Sequence, residues 1–132
     1  MPTDAYEIVE VQGRKLNKRT AAAFDAAQAL TPKDPDWTLA QGSYNVGVVG
    51  ASGGTHDGGG AIDCTEFNWQ HRVRALRDTG FAAWHRPELW QNGVRVWGAH
   101  IHAILIGDKE MSDAAEAQVV QYKAGTDGLV LH

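Results

Sequence analysis

The stretch GGTHDGGGAIDC, residues 53–64, sets a histidine, three consecutive glycines and an aspartate within a short span. His56 and Asp63 are both metal-ligating residue types, and bare glycine backbone between them lets the chain curl and leaves room beside an ion. A second stretch, GAHIHAI at 98–104, carries His100 and His102 inside an apolar run. Strand side chains alternate faces, so these two imidazoles share one face. A lone histidine there reads as a core group bonded to backbone or water. Two of them, alongside a separate His/Asp loop, point to a metal. His56, Asp63 and either His100 or His102 supply three N and O ligands, the set of a catalytic zinc site that keeps one position for water. One carboxylate and two neutral imidazoles leave such a site at +1. The ion then stays Lewis-acidic, and its water falls to a pKa of about 7 against 15.7 in bulk.

Elements must bring these residues together. Leu16, Thr20, Ala23, Phe24, Ala27 and Leu30 form one stripe of a helix over roughly 16–30, ended by TPKDPD. WTLAQGSY (37–44) reads as a strand and 45–60, with seven glycines, as a long loop. AIDC (61–64) is a short strand. Thr65 is positioned to cap a helix over 66–79, with Trp69, Val73 and Leu76 inward and Arg72, Arg74 and Arg77 outward. FAAWH (81–85) reads as a strand, RPELWQNG (86–93) as a turn region, and 94–107 as a long apolar strand or two joined at Gly98. Ser112 caps a last helix bearing Ala115, Val119 and Tyr122 on one face, ended by Gly125. This order predicts one α+β domain over 1–132, a small antiparallel β-sheet with helices packed on it.

At 132 residues, with 43% apolar and 21% charged residues, the chain has the profile of one globular domain with a core of its own. Net charge is −4 and there is no Lys/Arg block, so neither nucleic acid nor an anionic membrane has electrostatic support as a partner. The single cysteine, Cys64, excludes an intrachain disulfide and reads as a small buried residue. MPTDAYEIVE has no signal-peptide pattern and no run reaches membrane-spanning length, so synthesis in a cytoplasm is expected.

Within THDGGGAID, residues 56–63 fit the HxxGxAxD part of the [ST]xHxxGxAxD pattern of the zinc D-Ala-D-Ala carboxypeptidase and L-alanyl-D-glutamate peptidase family, with Gly54 at the [ST] position, and GAHIH fits that family's HxH motif. QGSYNVGVVGASGGTHDGGGAID followed by HIHAILIGD resembles its actinobacterial and phage branch, over roughly residues 12–128. Lysostaphin-type endopeptidases share the elements, but three residues separate their first pair, whereas six lie between His56 and Asp63. The hedgehog signalling domain is a non-catalytic relative. The resemblance implies a hedgehog/D-Ala-D-Ala peptidase-like fold with the zinc site in a cleft on the sheet, one zinc ion, and His56, Asp63 and His102 as its ligands, with His100 as the catalytic base. It implies cleavage of peptide bonds in bacterial peptidoglycan stem peptides, and action on the wall after release or virion delivery.

The sequence agrees with the role for His100. From Leu89 to Gly107 there is no Asp or Glu, so apart from the third ligand His100 alone titrates near neutrality there, and a nearby cation keeps it neutral. Many members of the family carry an arginine upstream of the first histidine, and QGSYN has none. Gln41, Ser43, Tyr44 and Asn45 are candidate donors to substrate or oxyanion in its place, with Arg86 and Arg95 the nearest cations. Trp90, in a polar turn, is the candidate cleft wall, while Trp37 and Trp69 read as core. His71, His85 and His132 have no motif around them, Asp57 reads as a solvent-facing turn residue and Asp108 as a strand-ending turn. Two rivals differ in class. A 2-His-1-carboxylate iron oxygenase usually sits on a jelly roll, against which three helices argue. A wall-peptide-binding module with structural zinc would bind muropeptides without releasing amines.

Overall fold

Gln12 and Gly13 take φ of 52° and 74°, the paired left-handed conformation that a two-residue hairpin needs. They fold β1 (Ile8–Val11) back antiparallel on β2 (Arg14–Asn17), a hairpin the hydrophobic pattern did not announce. The computed structural model describes residues 2–45 and 54–125; half of the predicted glycine loop, at 46–53, and His132 lie outside them. Gln12 clips the hairpin to the rest of the chain, donating from Nε2 to the Trp37 carbonyl (2.8 Å) and accepting from the Leu39 N–H (3.0 Å).

Asn17 ends β2 and caps α1 (Lys18–Ala29), its Oδ1 accepting from the Thr20 N–H at 2.8 Å. The predicted strand at 37–44 shrinks to β3 (Leu39–Gln41), and AIDC forms β4 (Ala61–Cys64) as expected. After α2 (Trp69–Asp78) and β5 (Phe81–Arg86), a second hairpin joins β6 (Leu89–Gln91) to β7 (Val94–Trp97). Its turn is Asn92-Gly93, φ 52° and 77°, inside the segment read as a turn region. The apolar run does break at Gly98, giving β7 and then β8 (His100–Leu105), and Ser112 caps α3 (Asp113–Lys123) as predicted.

The central sheet has the order β3-β4-β8-β5, antiparallel throughout, and the two hairpins form separate two-stranded sheets. The architecture is thus α+β with small antiparallel sheets and three helices among the described residues. Alternation gives the central sheet two distinct faces. On one, Ile62, Cys64, Phe81, Ala83, Ile101, Ala103 and Leu105 pack with Leu16 of β2, Phe24 and Ala27 of α1, and Val73 and Leu76 of α2. On the other, Ala61, Ala82, Trp84 and Ile104 pack against Ala115 and Val119 of α3. The short α3 covers only part of that second face. The remainder carries Asp63, His100, His102 and Arg86.

Two expectations about α2 are corrected. Thr65 does not cap it: the helix starts after Asn68, which sits at φ 58°, and the Thr65 carbonyl and hydroxyl instead accept from the Arg72 guanidinium, both at 2.9 Å. Arg72 is not outward but 3% exposed. Its position lies between Trp69 and Leu76 on the inward stripe, and Asp34 makes that tolerable by accepting two bonds from the guanidinium, at 2.7 and 2.9 Å. The guanidinium also lies 5.3 Å from the Trp37 ring centroid.

Removing one partner of a buried ion pair strands the other. Arg72→Met is therefore expected to cost about 3 kcal/mol, read as a lowered urea midpoint. The Arg72 hydrogen bond holds the Asp34 carboxyl below its ordinary range. A depressed carboxyl contributes stability above the unfolded pKa of about 3.9 and loses it as pH falls through the folded value. The wild-type midpoint should drop more steeply below about pH 4 than that of Arg72→Met.

Candidate metal centre

The antiparallel register sets Asp63 of β4 opposite His102 of the neighbouring β8, and Trp84 of β5 opposite His102 on its other side. Directly opposed residues share a face and touch. His102 Nδ1 lies 2.8 Å from Asp63 Oδ1. His56 reaches the same oxygen from the loop at 54–60, with Nε2 at 3.1 Å. One ligand atom from each of the three residues lies within 4.8 Å of the others. Neighbouring donors of a tetrahedron with bonds of about 2.0–2.1 Å stand about 3.3 Å apart, close to the separations found here.

The outer nitrogens decide what the inner ones offer. His56 Nδ1–H donates to the Gly42 carbonyl at 2.8 Å, and His102 Nε2–H donates to Gln118 Oε1 at 2.6 Å. Each neutral ring then turns a bare lone pair toward a carboxylate that offers only more lone pairs. Such a group needs positive charge at its centre. When an inner nitrogen carries a proton instead, it donates to Asp63; burial works to raise the Asp63 pKa, but such hydrogen bonds from His102 and His56 outweigh it and hold the carboxyl well below the usual range. Burial, the largest influence on His102, holds its pKa below the ordinary value. At His56 burial also lowers the pKa, but the Asp63 bond and charge prevail and raise it. A proton on His56 can thus balance part of the charge, and a divalent cation balances it fully. The donor set fits a divalent ion, and this buried group is one that could hold a metal.

The loop carrying His56 rests on the turn that follows β8. Gly59 N–H donates to the Glu110 carbonyl at 2.8 Å, and Ser112, while capping α3, donates its hydroxyl to the Gly54 carbonyl at 2.7 Å. Asp108 is more than a turn residue. Its buried carboxylate accepts from Asn17 Nδ2 and from the Glu110 N–H, both at 2.8 Å, and sits under Gly59 and Gly60.

A cleft of about 420 Å³ opens over His56, Asp63 and His102. It crosses the central sheet from Gln41 of β3, over Asp63 of β4 and the histidines of β8, to Arg86 of β5. His100 also lines it. Its Nδ1–H donates to the Gly98 carbonyl at 2.8 Å, which turns Nε2 inward to 3.8 Å from Asp63 Oδ2. The Trp97 ring stands edge-on to it, centroids 6.0 Å apart.

Of the four donors expected from QGSYN, Gln41 alone lines the cleft. The Ser43 hydroxyl donates to the Ala61 carbonyl at 2.8 Å. Tyr44 donates to Glu110; burial, and then that bond, push its pKa up to about 12. Asn45 donates its backbone N–H to the His56 carbonyl at 2.8 Å. These three support the loop that bears His56. Nor does Trp90 wall the cleft. It is 58% exposed and bonded to Glu88, while Val96 and Trp97 line the site. The β6–β7 register explains this: Leu89 pairs with Trp97 and Trp90 with Arg95, so Val96 is skipped. Such a bulge re-aims side chains, and it breaks the alternation on which a sequence reading depends. Arg86 lines the cleft, 5% exposed, and Arg95 does not. Gln118 was not foreseen at all; no local motif marks it. His71 is exposed and bonded to Asn68, and His85 stacks on Trp69 and bonds Glu66, away from the cleft. No known protein family, curated protein or solved structure matches the chain.

Proposed function

We propose that this chain is a zinc-dependent peptidase that cleaves peptide bonds of bacterial peptidoglycan stem peptides, with the hedgehog/D-Ala-D-Ala peptidase-like fold that its motifs imply. The observation that carries the reading is the convergence of His56, Asp63 and His102, outer nitrogens already bonded, beneath a cleft into which His100 turns a nitrogen. Two imidazoles and a carboxylate suit zinc, and when bound the ion supplies Lewis acidity toward a carbonyl oxygen and a water. The cleft spans four strands, about 14 Å at about 4.8 Å per strand spacing, which accommodates roughly four residues of extended peptide.

The chain's own groups would divide the work. His100, its Nδ1–H held by Gly98, accepts a proton at Nε2 from the attacking water and delivers it to the leaving amine. Arg86 is the cross-strand partner of His100 and lines the same cleft, so it brings the fixed cation that QGSYN lacks to the side where carbonyl charge develops. Gln41, at the other end, offers a hydrogen bond to the substrate backbone. Such an enzyme would meet its substrate after cell lysis or on a virion, as a phage lysin does.

Digestion of purified peptidoglycan, read by product mass, tests this. New amine termini are expected to appear with zinc, to vanish with a chelator and to return on adding zinc back. Metal-loaded protein that binds muropeptides yet releases no amine after long incubation would replace the enzyme by a binding module. Iron-dependent oxygen uptake would replace it by an oxygenase.

A further inference from the structure

We infer that Gln118 is a positioning residue for the metal centre: it holds His102 in the tautomer that turns the Nδ1 lone pair toward the ion. The inference rests on the zinc reading above and concerns how the chain prepares one ligand. A neutral imidazole carries a single N–H, so whichever nitrogen donates leaves the other as the ligand. Nothing in β8 itself makes that choice. Nδ1 faces Asp63 at 2.8 Å, and a proton there would donate to Asp63 Oδ1 in a good hydrogen bond, which would take the lone pair out of the site. The acceptor that draws the proton to the far nitrogen is Gln118 Oε1, at 2.6 Å from Nε2.

The placement of Gln118 follows from α3. Ser112 starts the helix, and Ala115 and Val119 bury against Ala61, Ala82, Trp84 and Ile104. Gln118 lies three residues after Ala115 and next to Val119, at the edge of that buried stripe, where the helix face meets the cleft. Trp84 confines the ring from another side, its plane nearly parallel to that of His102 at 5.8 Å between centroids. His102 can therefore change tautomer without leaving its place, and the balance between its two acceptors, Asp63 at Nδ1 and Gln118 at Nε2, decides which nitrogen is bare. His56 obeys the same logic with a backbone carbonyl, Gly42, which no substitution removes. At His102 the choice is left to a side chain.

Gln118→Leu keeps the size of the residue and removes the acceptor. Its zinc affinity, measured by competition with a chromophoric chelator, should fall roughly 10- to 100-fold. Two-bond ¹H–¹⁵N spectra of the zinc-free protein should show the His102 proton moving from Nε2 to Nδ1. The melting temperature of the zinc-free variant should stay at or above wild type, because the Nδ1–H to Asp63 bond replaces the one lost. Gln118→Glu is an acceptor only and should bind zinc at least as tightly as wild type. Gln118→Asn, one methylene short, should lie between the two. Wild-type zinc binding matched within twofold by the leucine variant overturns the inference alone, and so does a glutamate variant as weak as the leucine one. A wild-type protein that binds no zinc overturns the metal reading and this inference together. Should the leucine variant not fold, the glutamate and asparagine variants decide, since the ordering of their affinities is fixed by the argument.

Discussion

His100→Ala is expected to keep its zinc and lose its hydrolysis, while His102→Ala loses both. The two histidines sit two residues apart on one strand and share a cleft, so a merely steric account would treat them alike. Their bonding separates them. His102 points Nδ1 at the oxygen that His56 also addresses, and one ligand atom from each of His56, Asp63 and His102 falls within 4.8 Å of the others. His100 stands off at 3.8 Å from Asp63 and is tethered by Gly98. Loss of a general base lowers turnover by roughly 10²–10⁴. Affinity for zinc, titrated by competition, should change by no more than about twofold in His100→Ala, since no ligand is removed. In His102→Ala two protein ligands remain, and both zinc and activity should fall below detection at micromolar metal. Equal metal loss in the two variants would exchange their roles.

Gly58→Ala should detach the His56 loop from its support. A methyl group at that position would lie 2.2 Å from the Glu110 carbonyl oxygen and 2.7 Å from the Ser112 nitrogen, both backbone atoms that cannot rotate away. The loop must lift, and with it go the Gly59 to Glu110 bond and the Ser112 to Gly54 bond. A stability loss of about 3 kcal/mol is expected in a urea titration, with zinc affinity lowered roughly tenfold or more because His56 moves with the loop. Gly13→Ala is the control: its φ is +74° but a methyl group there meets nothing within 4 Å, so only the left-handed backbone costs, about 1 kcal/mol, and zinc binding should hold. A Gly58→Ala protein as stable and as tight as Gly13→Ala would show that the loop does not depend on this contact.

How far these features could be read from the chain varies with how local their causes are. The first helix follows from its apolar spacing, although Leu16 belongs to β2 and Leu30 is exposed rather than on its stripe, and the last follows from its Ser112 cap as the pattern says. The break at Gly98 and the sharing of a face by His100 and His102 follow from glycine and alternation. Arg72 shows where residue type misleads: its spacing is that of a core position, but its charge suggested solvent, and the partner that reconciles the two, Asp34, is 38 residues away. Val96 shows the opposite fault, a bulge that local alternation cannot express. The turn at Asn92-Gly93 was legible, since Asn-Gly is a strong signal for paired left-handed residues, but it was read only as part of a turn region and not as a hairpin, while Gln12-Gly13 carries no such signal and went unread. Within the site, the residue types and their order pointed to His56, Asp63, His100 and His102. What the sequence withheld was the support: Gln118 and Asp108 act through contacts across the fold, and Ser43 and Tyr44 are structural because their hydroxyls meet Ala61 and Glu110.

β8, one of the two inner strands of the four-stranded sheet, leaves no residue uncommitted. Ile101, Ala103 and Leu105 fill the interior beneath α1 and α2, while His100, His102 and Ile104 face the other way. A slip of one position during assembly would exchange the two sets, pressing imidazoles into hydrocarbon and lining the candidate metal centre with isoleucine and alanine. The core and the candidate metal centre are therefore written in the same six letters, and a misassembled copy would lose both.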